Sequence, residues 1–578
     1  MRPLDWWVLI GSLVFVVLYG MWRSRGTDSM NKYVLAGKTI PWYAMAFSIM
    51  ATQASAITFI STTGQSYVDG MRFVQFYFGL PLAMVILSAT AVPIFHRANV
   101  YTAYEYLERR FDAKTRALVS VIFLIQRGLA NGIALCATAI VLTMILGWAD
   151  QLTILIMGSL AILYTTTGGA KAVAWTEFPQ MIVMFLGLIV ALLTAVWMFP
   201  GDVGFVDAVS VAGAAGKLRA VVFNFDWSDR YNLWSGLLGG MFVALAYFGC
   251  DQSQVQRYLT GKSVAQSRLS LLFNGVAKVP MQFLILFIGA VIFAFYNFEK
   301  PPVLFQQDDL RRIQATKADY APVARRYDAA FQERRQAARE IIAARRNGDG
   351  EAKARGVARY QQAHRQFEAA RGEAIALAKK TSGEGSFNDT NYIFLTFVTC
   401  YLPAGVVGLV MAAIFAAAMS TISSEINSLA TVTVIDLYQR HFRKRASEGH
   451  YLKVAKAATV FWGLYAMVTA ELGKNLGALI EAVNILGSLF YGGLLGVFVL
   501  AFFVKRVGGT AAFVGVIAGE AAIFATARFT NISFLWYNVI GCLVVIAAAL
   551  AVSLIEGRPA RLSDSDKLKT VLKKSCTD

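Results

Sequence analysis

The sequence predicts an all-α polytopic membrane protein, and three observations support this fold class. Of the 578 residues, 57% are hydrophobic and only 16% are charged, whereas soluble domains carry roughly 25% charged residues. Apolar runs of about 20 residues recur along the chain, which is the length that a helix needs to cross a bilayer. These runs are continuous rather than alternating, and this argues against membrane-spanning strands.

The apolar runs predict about thirteen transmembrane helices. We place them at residues 4–22, 40–64, 73–95, 117–146, 152–168, 178–199, 233–252, 270–297, 395–425, 454–471, 477–503, 510–527 and 534–555. The first run is long enough to remain in the membrane, and no small-residue cleavage site follows it. We therefore expect no cleavable signal peptide.

Lysines and arginines concentrate in alternate loops. The basic loops lie at 23–38, 97–116, 257–268, 440–445 and 505–506, and in the tail 557–578. Because basic loops stay in the cytoplasm, the N-terminus is expected outside and the C-terminus inside, in the cell (inner) membrane. The net charge of +18 then belongs to these loops, and no basic patch interleaved with aromatic residues points to nucleic acid.

Other function classes lack their signatures. The five cysteines have no paired spacing, so we expect neither a disulfide framework nor a metal site built on them. All four histidines lie outside the predicted spans, and no G-x-S-x-G or H-E-x-x-H motif occurs. The sequence therefore does not predict an enzyme.

One hydrophilic segment, residues 299–388, interrupts the series of spans. It is rich in Ala, Arg, Glu and Gln, and it predicts helices at 320–346 and 351–380 separated by the Asn-Gly-Asp-Gly break at 347–350. The predicted topology places this helical hairpin outside the cell. It is either a solvated decoration or a segment that docks a partner or captures the substrate.

Two predicted spans are interrupted by small and polar residues, at 50–56 and at 247–254. Five spans separate the starts of the two interrupted segments. This spacing is typical of an inverted five-plus-five repeat, in which paired broken helices form a binding site near the bilayer midplane. The alternative is plain helix packing, which also uses small residues.

The ninth predicted span ends in a cluster of four hydroxyl residues, Ser420, Thr421, Ser423 and Ser424. Their spacing places several oxygens on one side of a helix. A hard cation such as sodium prefers oxygen ligands, and hydroxyls supply them without burying a full charge. Hydrogen bonding between helices is the alternative role for such residues.

Among the ionisable residues in or beside the spans, we single out Arg127, Glu177, Lys278 and Glu425. Charges inside a membrane are costly and usually functional. Arg127 either binds a substrate carboxylate, because its guanidinium matches a carboxylate, or pairs with a buried acid. Lys278 has the same two alternatives, and Glu177 could also be an interfacial charge.

Three segments resemble motifs of the sodium/solute symporter family. Residues 168–177 resemble its GG…AV.WTD segment, residues 251–258 its NQ..VQR segment, and residues 420–427 its serine-rich eighth core helix. The resemblance covers nearly all of 1–525 except the 299–388 insertion. It implies a LeuT-like 5+5 inverted repeat with one extra N-terminal helix, and two further helices follow at the C-terminus.

This resemblance implies seven regions. They are an extra N-terminal helix with a cytoplasmic loop (1–39), a first five-helix repeat (40–199), an extracellular loop (200–231), a second repeat (232–298 and 389–503), the extracellular hairpin insertion (299–388), two C-terminal helices (504–556) and a cytoplasmic tail (557–578).

The resemblance also implies ligand positions. The main sodium site maps onto Ala51, Ala54, Ala417, Ser420 and Thr421. A second sodium site, found in some members, maps onto Ser423, Ser424 and Glu177, where this chain has Glu instead of the family's Asp. The substrate positions map onto Gln53, Ser55, Thr58, Phe76, Tyr77, Arg127, Tyr247, Phe248 and Lys278.

Two substrate positions bear on the solute. Sugar-transporting members have Glu where this chain has Tyr77, which weakens a simple hexose assignment. Arg127 lies about one helical turn from the carboxylate-binding arginine of the sialic acid transporters, and this hints at an anionic solute. Tyr247 and Phe248 map onto aromatic gate positions.

The predicted function is therefore sodium-coupled symport of a small organic solute (sugar, sialic acid, carboxylate or amino acid) by alternating access, with sodium as the coupling ion. A proton-coupled carrier of the same fold is one alternative, with Glu177 and Glu425 as proton sites. A membrane sensor module is another, although the tail after residue 556 is too short for an output domain.

Overall fold

The computed structural model describes residues 2–26, 29–147, 149–382, 387–471 and 478–556. Within these ranges the chain is helical, and its one isolated β-bridge pairs Ile40 with Gly261. The predicted cytoplasmic tail, 557–578, lies outside the described residues.

Twenty-two α-helices lie in the described ranges. They are α1 (Pro3–Arg23), α2 (Met30–Leu35), α3 (Trp42–Gln53), α4 (Ala56–Asp69), α5 (Leu80–Ala89), α6 (Ala91–Ala98), α7 (Ala103–Arg110), α8 (Ala113–Leu146), α9 (Asp150–Trp197), α10 (Phe205–Ala214), α11 (Gly240–Gly249), α12 (Gln252–Leu259), α13 (Val264–Phe295), α14 (Gln307–Ala315), α15 (Lys317–Arg346), α16 (Gly350–Ser382), α17 (Thr390–Tyr401), α18 (Val406–Val432), α19 (Glu448–Ala470), α20 (Leu479–Phe503), α21 (Gly509–Phe529) and α22 (Phe534–Ile555). A π-helical turn, Ser235–Gly239, leads into α11, and a second π-helix, Thr433–Phe442, extends α18.

Nine helical segments of the described chain are long and apolar enough to cross a membrane. A tenth is the pair α3 and α4, which bend by 57° at the break between Gln53 and Ala56. The 48 residues of α9 cover two predicted spans and break at Gly169. The all-α membrane class is thus confirmed, whereas the count of thirteen spans stays a prediction.

The predicted ninth span, 395–425, is wrong in its bounds. The structure has α17 ending at Tyr401 and a separate helix, α18, beginning at Val406. Pro403 lacks a backbone donor, and Gly405 has a φ of 85°, so the helix cannot continue through this apolar run. As a result the serine cluster lies in the middle of α18 rather than at a span end.

The helix α18 is the centre of the packing. In the segment Val406–Phe442, 89% of the residues in the apolar membrane-spanning stretch are buried inside the protein, against 22% in α1 and 33% in both α21 and α22. It packs against α9, α8 and α1. The buried Asp5 carboxylate of α1 accepts hydrogen bonds from the backbone N–H groups of Gly405 and Gly408 at 2.6 and 3.1 Å, which fixes α1 at the start of α18.

The 299–388 insertion contains the hairpin of α15 and α16, preceded by α14. Its two helices share a small apolar core that includes Tyr327, Phe331 and Phe367. The segment 200–231, predicted as a loop, contains α10, and α10 packs against both hairpin helices. Asp207 of α10 accepts hydrogen bonds from Arg345 and Arg346 at the end of α15.

The hairpin is also fastened to the end of α13. The guanidinium of Arg334 donates to the Tyr296 carbonyl at 2.5 Å, and the Tyr360 hydroxyl donates to Asn297 at 2.7 Å. Burial and the charges of Arg334 and Lys217 together lower the pKa of His364 to about 3. The imidazole is therefore neutral, as expected for a packed contact at the hairpin base.

We expect Gly169→Ala to destabilise the protein by about 1–3 kcal/mol, because only glycine tolerates its backbone conformation. The glycine has φ 55° and ψ −152°, and an added Cβ would lie 2.4 Å from the Tyr33 carbonyl oxygen. The readout is the apparent melting temperature of purified protein. Gly11→Ala is the control, since nothing lies within 4 Å of its added Cβ; equal melting temperatures for both variants would contradict this expectation.

Candidate binding sites in the membrane core

Two broken helices meet the central helix in the middle of the molecule. The helix α3 ends at Gln53, and Ala54 and Ser55 are non-helical before α4 begins. The helix α11 ends at Gly249, and Asp251 caps α12 by accepting from the Ser253 N–H at 2.9 Å. Both α3 and α12 pack against α18. The breaks leave backbone carbonyls available beside the serine cluster.

The proposed main sodium residues converge at this junction. The Ser420 hydroxyl lies 2.9 Å from the Ala51 carbonyl oxygen and 3.1 Å from that of Ala417. The Thr421 hydroxyl lies 3.3 Å from the Thr52 carbonyl oxygen. Ala54 sits at the end of the same helix, where its N–H donates to Met50. All five predicted ligand residues are buried.

The chemistry of this junction fits a hard monovalent cation. Its donors are carbonyl and hydroxyl oxygens, and these are the atoms that hard cations prefer. The set contains no carboxylate, so a bound sodium ion would bring the charge that the oxygens stabilise. Burial excludes competing water and strengthens these ion–dipole contacts.

The proposed second sodium residues are brought together only in part. The buried Glu177 carboxylate of α9 accepts from Ser424 at 2.5 Å and from Thr52 at 3.1 Å, and also from Ser48. Ser423 instead donates to the Ser420 carbonyl of its own helix at 3.1 Å. In this arrangement Glu177, Ser424, Ser48 and Thr52 form one oxygen cluster, and Ser423 is not part of it.

The sequence reasoning missed Ser48 and Thr52. The available signal was their spacing of four residues, which places both hydroxyls on one face of α3. Thr52 lies 3.0 Å from the Ser424 hydroxyl, so it links the Glu177 cluster to α18.

Arg127 pairs with buried acids. On α8, its guanidinium donates to Glu425 at 2.8 Å, to Asp251 and to the Tyr491 hydroxyl at 2.5 Å. The Tyr491 hydroxyl also donates to Asp251 at 3.2 Å. This network ties α8, α18, α20 and the break before α12 together. Of the two alternatives for Arg127, the structure therefore shows the ion pair.

A cavity of about 110 Å³ lies against both broken helices. Eight of the nine predicted substrate residues line it, namely Gln53, Ser55, Thr58, Phe76, Tyr77, Arg127, Tyr247 and Phe248. Other lining residues were not predicted, among them Gln126, Thr421, Glu425, Asn484 and Tyr491.

Several polar atoms in the cavity wall have no partner within the described protein. They are the Oε1 atoms of Gln53 and Gln126, Nδ2 of Asn484, Oε2 of Glu425 and Nε of Arg127. A buried polar atom without a partner is costly unless something else satisfies it. Because these atoms comprise both donors and acceptors, they can bind a solute that carries groups of both kinds.

Lys278 lies outside the cavity lining. It is fully buried on α13, and its ammonium has no hydrogen-bond partner within the described residues. The ammonium lies 5.7 Å from the ring centroid of Tyr77, and Tyr77 itself lines the cavity. The ring of Tyr77 therefore lies between the lysine ammonium and the cavity.

Paired broken helices, a hydroxyl-lined junction and an adjoining cavity are the features of a secondary transporter. A solved structure of a sodium-coupled sialic acid symporter, in a substrate-bound outward-open state, has a similar fold. It is 24% identical to this chain, and the match covers 96% of this chain and 98% of the other with a TM-score of 0.74.

The chain belongs to the sodium:solute symporter family, whose model matches residues 33–305 and 373–519. The unmatched stretch between them contains α14, α15 and most of α16. Similar proteins include the sodium/sialic acid symporter NanT of Aliivibrio fischeri (27% identical, 94% of this chain and 91% of the relative) and the human sodium-coupled monocarboxylate transporter 1 (26% identical, 89% and 72%). The protein is thus a sodium-coupled transporter and not an enzyme, and the predicted coupling ion is confirmed.

Proposed function

We propose that this protein imports a small polar organic solute together with sodium, binding the solute in the central cavity and sodium at Ala51, Ala54, Ala417, Ser420 and Thr421. The observation that carries the proposal is that Thr421 belongs to both sites and that its hydroxyl contacts the backbone of Thr52, the residue next to Ala51. Their carbonyl–hydroxyl contact lies in the sodium junction, and both residues line the cavity.

The shared residue and its contact with α3 give a physical route for coupling. Sodium between α3 and α18 would hold the broken end of α3 in place, and that end also forms a wall of the cavity. A ligand can shift a conformational balance only by binding one state more tightly. Sodium and solute therefore stabilise the same arrangement, and each raises the affinity for the other.

The cavity wall informs the class of solute. Arg127 is already engaged by Asp251 and Glu425, so it is not a free clamp for a carboxylate. The partnerless atoms of Gln53, Gln126 and Asn484 instead favour a solute with several hydroxyl or amide groups. Sugars, sialic acids, hydroxy acids and amino acids meet this requirement to different degrees.

A binding screen separates these solute classes. Purified protein is heated with sugars, sialic acids, carboxylates or amino acids, each with and without sodium. A solute that binds the folded state raises the apparent melting temperature by mass action. We expect a polyhydroxylated solute to produce the largest shift and the shift to require sodium; a sodium-independent shift would contradict the proposed coupling.

The orientation is also part of the proposal. Basic loops predict an outside N-terminus and a cytoplasmic C-terminus in the cell (inner) membrane. In this orientation the hairpin of α15 and α16 faces outward. Sodium and solute enter from that side and leave toward the cytoplasm.

We expect Thr421→Val to raise the half-saturating sodium concentration about tenfold, because it removes one charge-assisted oxygen contact. The measurement is the sodium titration of the melting temperature, with solute uptake as a second readout. Ser428→Ala is the matched control, since Ser428 lies on the same helix and donates to the Glu425 carbonyl at 2.8 Å. An unchanged sodium midpoint in Thr421→Val would rule out this sodium site.

A further inference from the structure

Arg257, near the end of α12, is a buried cation that has no carboxylate partner among the described residues. Its relative exposure is 1%. Its Nε and Nη1 atoms have no hydrogen-bond partner within the described residues, and Nη2 makes one long contact, 3.5 Å, with the Asn427 amide oxygen. A guanidinium buried in this way is energetically costly, so its unused donors point to a partner in another state.

Glu177 is the complementary buried anion. Three hydroxyls, from Ser48, Thr52 and Ser424, donate to its carboxylate, yet no ion pair to it occurs within the described residues. Arg257 and Glu177 contact neighbouring residues of α18, Asn427 and Ser424. Hydroxyls alone compensate a buried carboxylate poorly.

The helix α18 places the two groups side by side. Asn427, which holds Arg257, lies one turn after Ser424, which holds Glu177. The Asn427 amide oxygen also accepts from Gln256 at 3.0 Å, so α12 is fastened directly beneath the serine cluster. A movement of the Arg257 side chain from Asn427 toward Ser424 would bring its unpaired N–H groups toward the carboxylate, and a guanidinium fork matches a carboxylate geometrically.

We propose that Arg257 competes with sodium for Glu177 and serves as the internal cation of the carrier when no ion is bound there. The inference rests on the proposed sodium coupling and also on the second sodium site that the family resemblance implies, since it needs sodium to bind at Glu177. With sodium present, the ion neutralises the carboxylate and repels the guanidinium onto Asn427. After sodium leaves, Arg257 engages Glu177, so that the carrier returns without an uncompensated buried charge.

The competition proposal predicts an increase in sodium affinity when Arg257 is removed, which a purely structural role does not. Removing a competitor strengthens sodium binding, whereas damage to the packing weakens it. The probe is radioactive sodium alone, bound to the purified full chain. All variants are made in a Thr421→Val background, which weakens the other proposed sodium site so that the isotherm reports on Glu177.

We expect Arg257→Gln to lower the sodium dissociation constant at least about tenfold, because the ion no longer displaces a buried cation. Arg257→Lys keeps the charge and should stay within about threefold of the parent. Arg268→Gln is the matched control, because this arginine is on α13, donates to the Ser88 carbonyl at 2.8 Å and should leave sodium binding unchanged. An unchanged or weaker affinity in Arg257→Gln overturns the proposal.

The companion variant Glu177→Gln tests the second sodium site separately from the competition proposal. If Glu177→Gln leaves sodium binding intact, the second sodium site is wrong and the competition proposal falls with it. If Glu177→Gln abolishes binding while Arg257→Gln does not strengthen it, only the competition proposal is wrong. If Arg257→Gln does not fold, we expect the double variant Arg257→Gln with Glu177→Gln to fold, because it removes both buried charges together. If neither variant folds, Arg257 is a structural residue and the proposal is overturned.

Discussion

Arg127→Met is expected to abolish uptake and to destabilise the protein by about 3–5 kcal/mol, because it strands two buried carboxylates. In the folded protein Arg127 bridges Asp251 and Glu425, and the side chains of all three are at most 5% exposed. Tyr491 donates to Asp251 but brings no charge. The apparent melting temperature and solute uptake in vesicles are the two measurements.

A charge-balanced variant is the control for this prediction. Arg127→Met combined with Asp251→Asn and Glu425→Gln removes the stranded charges, and we expect it to recover most of the lost melting temperature. Uptake should remain absent, since the variant changes Arg127 and Glu425 in the cavity wall and the Asp251 cap of α12. If Arg127→Met alone is as stable as the parent, the network in this structure does not hold the helices together.

The features that depend on short stretches of consecutive residues could be predicted from the sequence. Apolar runs gave the helices, and the interruptions at 50–56 and 247–254 coincide with the breaks between α3 and α4 and between α11 and α12. The hairpin could be predicted equally well, because its Ala-, Arg- and Glu-rich helices flank an Asn-Gly-Asp-Gly turn. In these segments the backbone geometry follows from a few consecutive residues.

The side-chain contacts between different helices could not be predicted in the same way. Arg127 finds Asp251 and Tyr491 at separations of 124 and 364 residues, and hydropathy carries no information on which face of a helix meets which neighbour. The spacing of Ser48 and Thr52 places their hydroxyls on one face of α3, but such residues also pack many membrane helices, so the spacing did not identify Glu177 as their partner. The error at the ninth span has a local cause, since an apolar window overlooks Pro403 and Gly405.

Lys278 is the remaining ionisable residue for which the sequence left two alternative roles. A lysine that only held helices together would have an acceptor, but this ammonium has none among the described residues and faces the ring of Tyr77 at 5.7 Å. A cation–π contact offsets only about 2 kcal/mol when it is desolvated. The charge therefore costs the fold free energy, and such costs are typically retained where function needs them.

We expect Lys278→Met to stabilise the protein by about 1–4 kcal/mol, since it replaces an unpaired buried charge with an apolar side chain of similar length. Uptake should fall at the same time, because the ammonium sets the field behind Tyr77 and the cavity wall. Lys278→Arg keeps the charge and should retain more uptake without the gain in melting temperature. A Lys278→Met protein that is less stable than the parent would mean that the lysine holds the helices, and unchanged uptake would remove it from the set of substrate residues.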